Sequence, residues 1–226
     1  FLLAVIPGIA AIIATIFLKE KKKEIPITNV KVSFFSFINY WKDSPEKYKK
    51  VVIGLLFFTL FNSSDVFLLL KIKESGLNDT NVISVYIFYN LVYALSAFPM
   101  GILADKLGLK NTFLLGLFLF IIVYLGFSVN NNIYIFGILF LLYGLYAAAT
   151  EGIAKAWISN ISAKEDTATA IGTFSGFQSI CTMFASAFAG FVWYQFDATS
   201  TFIISAIATI IVLFYFLFFV KEEKLI

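Results

Sequence analysis

Apolar residues gather into seven long runs, at about 1–18, 51–70, 82–104, 111–129, 133–150, 168–194 and 200–220. Each is long enough to cross a bilayer as a helix, since a hydrocarbon core of ~30 Å needs roughly 20 residues. Short polar hinges separate them: Asn78-Asp79, Asp105 to Lys110, Asn130 to Asn132, Ala163 to Asp166, and Asp197. Only the connection over 19–50 is long. The pattern predicts an all-α integral membrane protein, a polytopic helix bundle. It divides into a span at 1–18, a linker at 19–50 and a six-helix bundle at 51–226.

Local signals refine the ends of these elements. In the linker, Val30, Phe34, Phe37 and Trp41 recur at helical spacing between Lys21-Lys22-Lys23 and Lys47, Lys49 and Lys50. This predicts an amphipathic helix on the membrane surface; a Phe-rich linker packed on the bundle fits the same pattern. Ser44-Pro45 predicts an N-cap and first-turn proline for the next span. Ser162-Ala163-Lys164-Glu165 reads as a capping box opening a helix from about 163 to 195. Such a helix is roughly 50 Å long and has to tilt or project.

Composition agrees with the pattern. Of 226 residues, 60% are hydrophobic and 14% charged, against about half and a quarter in soluble domains. All seventeen basic residues are Lys, and their placement matters more than the net charge of +3. Fifteen fall in segment 19–50, in the hinges after the 82–104 and 133–150 runs, and in the C-terminal tail. The opposite hinges hold only Lys71 and Lys73. By the positive-inside rule the linker and C-terminus are cytoplasmic, in a multi-pass protein of the cell's inner (plasma) membrane. The chain opens at Phe1, already inside an apolar run, which suggests that sequence precedes it. The small Lys excess does not suggest nucleic acid. A lone Cys181 forms no internal disulfide and reads as a buried, inert thiol. With no His, no metal-ligand cluster and no P-loop, no enzyme activity, metal or cofactor is expected.

Polar residues inside spans are costly toward lipid and usually face a bundle interior or a watery cavity. Thr59, Asn62 and Ser63 share a helical face if the 51–70 run is one helix. Tyr86, Tyr89, Asn90 and Tyr93 stripe the next run, and Tyr143, Tyr146 and Thr150 stripe the 133–150 run. Ser175, Gln178, Ser179 and Thr182 mark the 168–194 run, where Gly172-x3-Gly176 and Ala185-x3-Ala189 permit close helix packing. The 111–129 and 200–220 runs carry few polar groups and are expected at the periphery. The predicted cavity residues are Asn62, Asp65, Tyr89, Asn90, Tyr93, Tyr143, Tyr146 and Gln178. Asp65 would lie about 21 Å along its span, where a carboxylate either finds a partner or takes up a proton. Lys71 and Lys73 are close enough to serve as that partner. Glu151 and Lys155, four residues apart, predict an intrahelical ion pair.

The hinge after the 82–104 run reads Gly101-Ile102-Leu103-Ala104-Asp105-Lys106-Leu107-Gly108-Leu109-Lys110. It resembles the loop signature of the major facilitator superfamily, G-x-L-A-D-(R/K)-x-G-(R/K)-(R/K), and the span count and long linker agree. The resemblance covers essentially the whole chain and implies the end of helix 6, the central loop and helices 7 to 12 of a twelve-helix transporter. It implies a gating loop of Gly101, Asp105, Lys106, Gly108 and Lys110, with Asp105 facing the helix that follows Ser162 to Asp166. A helix N-terminus there favours an anion, and the glycines permit tight turns and close approach. Leu109 departs from the signature, where a basic residue is usual. Asn160, Ala163, Thr167 and Ala168 also stand where many relatives have Asp, Pro, Arg and Gly.

The resemblance further implies a lipid-embedded secondary transporter working by alternating access, its partners a small-molecule substrate and protons. An N-terminal six-helix half would complete it. Proton-coupled antiport of small organic compounds out of the cell is the leading expectation. A sugar or metabolite carrier, and a non-transporting sensor or scaffold, are the alternatives.

Overall fold

A computed structural model describes residues 36–220, together with Ile9, Ile13, Thr15 and Phe17. The expected 1–18 span and most of the linker, with Val30 and Phe34, otherwise lie outside the described residues. The described part is a helical bundle of α1 (Ser36–Asp43), α2 (Glu46–Phe61), α3 (Val66–Glu74), α4 (Asp79–Leu107), α5 (Leu109–Val129), α6 (Ile133–Ile161), α7 (Thr167–Gln195) and α8 (Ala198–Phe219). Six stretches are long and apolar enough to cross a membrane: α2 with α3 as Glu46–Glu74, and each of α4 to α8.

The first span is the main departure from the sequence pattern. It is not one helix: α2 stops at Phe61, Asn62 to Asp65 are non-helical, and α3 starts at Val66. Four consecutive polar residues explain the break, because Asn, Ser and Asp side chains compete for nearby backbone groups. Ser64 Oγ accepts from the Val66 N–H at 3.4 Å. Asp65 is therefore the residue before α3, not a mid-helix position, and Asn62 and Ser63 do not share a regular helical face with Thr59.

Two expected caps also move. Ser162 closes α6, its hydroxyl donating to the Ile158 carbonyl at 2.7 Å, so it does not open α7. α7 starts only at Thr167, after Asp166, whose side chain makes no cap bond. Likewise Ser44 donates back to the Trp41 carbonyl at 2.9 Å, and Pro45 itself precedes α2. The lysine-poor hinges differ: Asn78, Asn132 and Asp197 each accept a backbone N–H, from Asn81, Tyr134 and Ser200. The Ser200 N–H holds the Asp197 carboxyl below its usual range.

α6 is the centre of the bundle, packed along α4 and α5, and α5 packs in turn on α8. Small residues bring these helices together. A Cβ on Gly144 would meet Val92 Cβ at 2.9 Å and the Tyr89 carbonyl oxygen at 3.0 Å; one on Gly116 would strike Thr150. Aromatic rings fill the remaining space: Phe120 stacks on Tyr124 at 3.8 Å, Phe127 stacks on Phe136 at 5.0 Å, and Phe113 meets Phe216 edge-on at 5.3 Å. α5 is well buried, contrary to the peripheral place its apolar sequence suggests, while α4 and α7 are the most exposed spans. α1 sits against this bundle through Trp41, whose ring meets Tyr48 at 6.2 Å and Phe177 at 5.6 Å.

Candidate functional site

Three spans bring polar side chains to one place near the middle of their length. Asn62 sits at the α2–α3 break, Tyr146 in α6 and Gln178 in α7, and all line a cavity of about 50 Å³. Thr59, Thr150 and Glu151 add polar lining; Phe58, Phe113 and Phe174 give it aromatic walls. Asn62 Nδ2 donates to the Tyr146 hydroxyl at 2.9 Å, tying the break to α6. The other half of that amide, Oδ1, is buried and has no hydrogen-bond partner. An orphaned buried acceptor is costly in a folded protein, and it is a group a ligand can satisfy.

The hydroxyls around the cavity are mostly spent. Thr59 donates to the Leu55 carbonyl and Thr150 to the Tyr146 carbonyl, both at 2.9 Å. Glu151 does not close its expected pair with Lys155. Its Oε2 instead accepts from the Tyr93 hydroxyl at 2.9 Å, a contact that joins α6 to α4. A bond between helices replaces one along a helix because α4 packs directly on this stretch of α6.

Of the other expected cavity residues, Tyr89 and Tyr143 lie beside the site, their rings 5.0 Å apart, with Tyr146 a further 5.2 Å from Tyr143. Asn90 does not join them: its amide donates to the Tyr86 carbonyl on its own helix at 2.8 Å. Asp65 lies in the helix break within electrostatic reach of Tyr89, Tyr124 and Tyr143. Among the described residues it has no ion-pair partner, and Lys73 pairs with Asp79 at 2.8 Å. The sequence reading missed Tyr124, which is fully buried in α5 and lies 3.3 Å, hydroxyl to hydroxyl, from Ser63. Its phenol in an otherwise apolar run was the available signal.

The loop between α4 and α5 has its own cavity, of about 460 Å³, with Asp105, Asn160, Lys164 and Thr167 on its walls. Asp105 thus shares a space with the first residue of α7, while no ion pair joins it to Lys164. Gly108 turns the chain at φ 90°, ψ 152°, a conformation open essentially to glycine alone. Gly101 lies inside α4 with nothing within 4 Å of an added Cβ, so it serves neither a turn nor a close approach here. Lys106 is exposed, and Lys110 donates to the Val220 carbonyl at 2.6 Å, closing the end of α8.

A bundle of apolar spans around a polar mid-depth site agrees with the comparison to known proteins. The sequence profile of the Major Facilitator Superfamily matches residues 51–225, most of the chain. The chain belongs to the major facilitator superfamily. This superfamily assignment covers all six spans of the bundle. An uncharacterised MFS-type transporter of Methanocaldococcus jannaschii is 32% identical over 216 residues, covering 93% of this chain and 52% of that protein. An uncharacterised MFS-type transporter of Bacillus subtilis is 27% identical over 124 residues, 54% of this chain and 30% of that protein. The chain thus spans about half the length of the archaeal relative it matches.

Proposed function

We propose that this chain forms the C-terminal half of a secondary active transporter, moving a small solute by alternating access as two six-helix halves rock. The observation that carries this reading is the convergence of Asn62, Tyr146 and Gln178 at mid-depth beside a broken first span. Binding near the bilayer midplane, with irregular backbone only where it lines a cavity, is what such transport requires. The exposed faces of α4 and α7 are where the other half docks. The lysine asymmetry supports a plasma-membrane protein with the linker and C-terminus in the cytoplasm. The cavity beside Asp105 is then a cytoplasmic gate.

Proton coupling and export are the finer part of the proposal. Asp65 is the proton carrier, since it lies at the break, near three tyrosines and, among the described residues, without a cation partner. The test reconstitutes the full-length protein in liposomes and follows proton movement while a panel of organic cations, sugars and carboxylates is added. Asp65→Asn is expected to lower coupled flux about tenfold or more, as the loss of a carrier in the membrane interior would. Undiminished pH-dependent flux in that variant removes Asp65 from the mechanism.

A further inference from the structure

We infer that the mid-depth cavity selects a small organic cation that donates hydrogen bonds, an alkylammonium or alkylguanidinium compound. This deepens the transporter reading and rests on it for the meaning of binding. The chemistry comes from a count of donors and acceptors around the cavity. Thr59, Thr150 and Tyr93 already give their protons to protein acceptors, and the Asn62 amide nitrogen gives one of its two to Tyr146. The Gln178 amide and the Tyr146 hydroxyl can each donate or accept, while the buried orphan and the charged group of the cavity are both acceptors. Among the described residues, Asn62 Oδ1 is buried without a donor, and Glu151 uses one carboxylate oxygen for Tyr93 with no partner on the other.

Charge points the same way. Among the described residues Glu151 is the sole charged side chain lining the cavity, and no lysine lines it to neutralise that carboxylate. An anionic guest would meet a like charge, whereas a cation gains a charge-assisted bond. The walls add to the preference, because Phe58, Phe113, Phe174 and Tyr146 line the space with aromatic rings, a lining suited to cations. Phe58 stands edge-on to Tyr146 and to Phe113, at 6.2 Å in both cases. A space of about 50 Å³ holds some four waters, or a headgroup of that size with its alkyl chain leading out. Tyr93 acts as a positioning residue: its hydroxyl fixes the Glu151 carboxylate and leaves its charge in place. The loop cavity offers no such selection, since Asp105 and Lys164 line it together.

The test measures binding of four matched probes, n-butylammonium, butylguanidinium, butyrate and butanol, to the purified full-length protein by calorimetry. The two cations are expected to bind, with butyrate and butanol at least about tenfold weaker. Glu151→Gln is expected to weaken the cations about tenfold or more, Glu151→Asp to retain most of their affinity, and Tyr93→Phe to have a smaller effect. Butyrate or butanol binding as tightly as butylammonium overturns the inference, as does unchanged cation binding in a folded Glu151→Gln protein. If that variant does not fold, the preference of the wild-type protein among the four probes decides. Liposome counterflow of butylammonium separates the two readings. Binding without counterflow sinks the transporter and leaves the cation site standing. Transport of another solute with no cation binding sinks the cation site alone.

Discussion

Two pairs of small residues in α7 have the same spacing and opposite fates. Ala185 and Ala189 are buried, in contact with a void of about 10 Å³ that Leu60 and Phe61 of α2 and Thr201 and Ser205 of α8 also line. Gly172 and Gly176, toward the other end of the helix, have open space: an added Cβ would meet nothing within 4 Å. A small-x3-small pattern lowers the steric barrier to approach and does not supply the helix that approaches. In lipid, where apolar surface gains nothing by leaving an equally apolar solvent, only a matching partner uses such a notch. The open pair is left without such a partner among the described residues, and under the proposed function it is where the second half would dock.

This contrast can be broken by crowding each kind of position in turn. The largest effect is expected in the α4–α6 seam, where Gly144→Leu drives a side chain into Val92 and a backbone carbonyl. It should cost about 3 kcal/mol, the upper end of ordinary overpacking, read as a fall in Tm of the full-length protein in detergent. Ala189→Leu should cost about 1–2 kcal/mol, since the adjoining void holds one water at most. An unchanged Tm there would mean that α7 does not depend on its contacts with α2 and α8. Gly176→Leu should change the stability of the bundle by less than about 0.5 kcal/mol, yet reduce transport by blocking the second half. A Tm loss equal to that of Ala189→Leu, with transport intact, would abolish the distinction between the pairs. The smallest effect is expected from Gly172→Ala, a gain of up to ~1 kcal/mol from helix propensity in open space.

The same split between local and distant information explains how much of the site was legible. Asn62, Tyr146 and Gln178 stood out because each interrupts an apolar run, and they meet in one cavity. Asn90 stood out equally, and its amide turned back to its own helix. Nothing in the spacing separates these cases, because a polar side chain can bond within its turn or across the bundle. Glu151 had an ideal partner four residues away in Lys155, and Tyr93, 58 positions earlier, took its carboxylate instead. Tyr124 was passed over in a run that looked peripheral, although its ring is fully buried.

By itself the sequence determined the membrane class, the six spans of the bundle and the lysine asymmetry, together with the loop signature that marks the superfamily. These are local sums of hydrophobicity and charge along the chain, and they survive any arrangement of the helices. It also held the four polar residues of the break, Asn62 to Asp65, without revealing that they interrupt the helix. Tertiary structure alone decided which helices are buried, that Asn62 reaches Tyr146, and that its carbonyl oxygen is left without a donor. Those outcomes depend on how each helix is rotated about its axis and how near its neighbours lie, and hydrogen bonds are sensitive to both within fractions of an ångström. Periodicity fixes which residues share a face; only packing decides what that face meets.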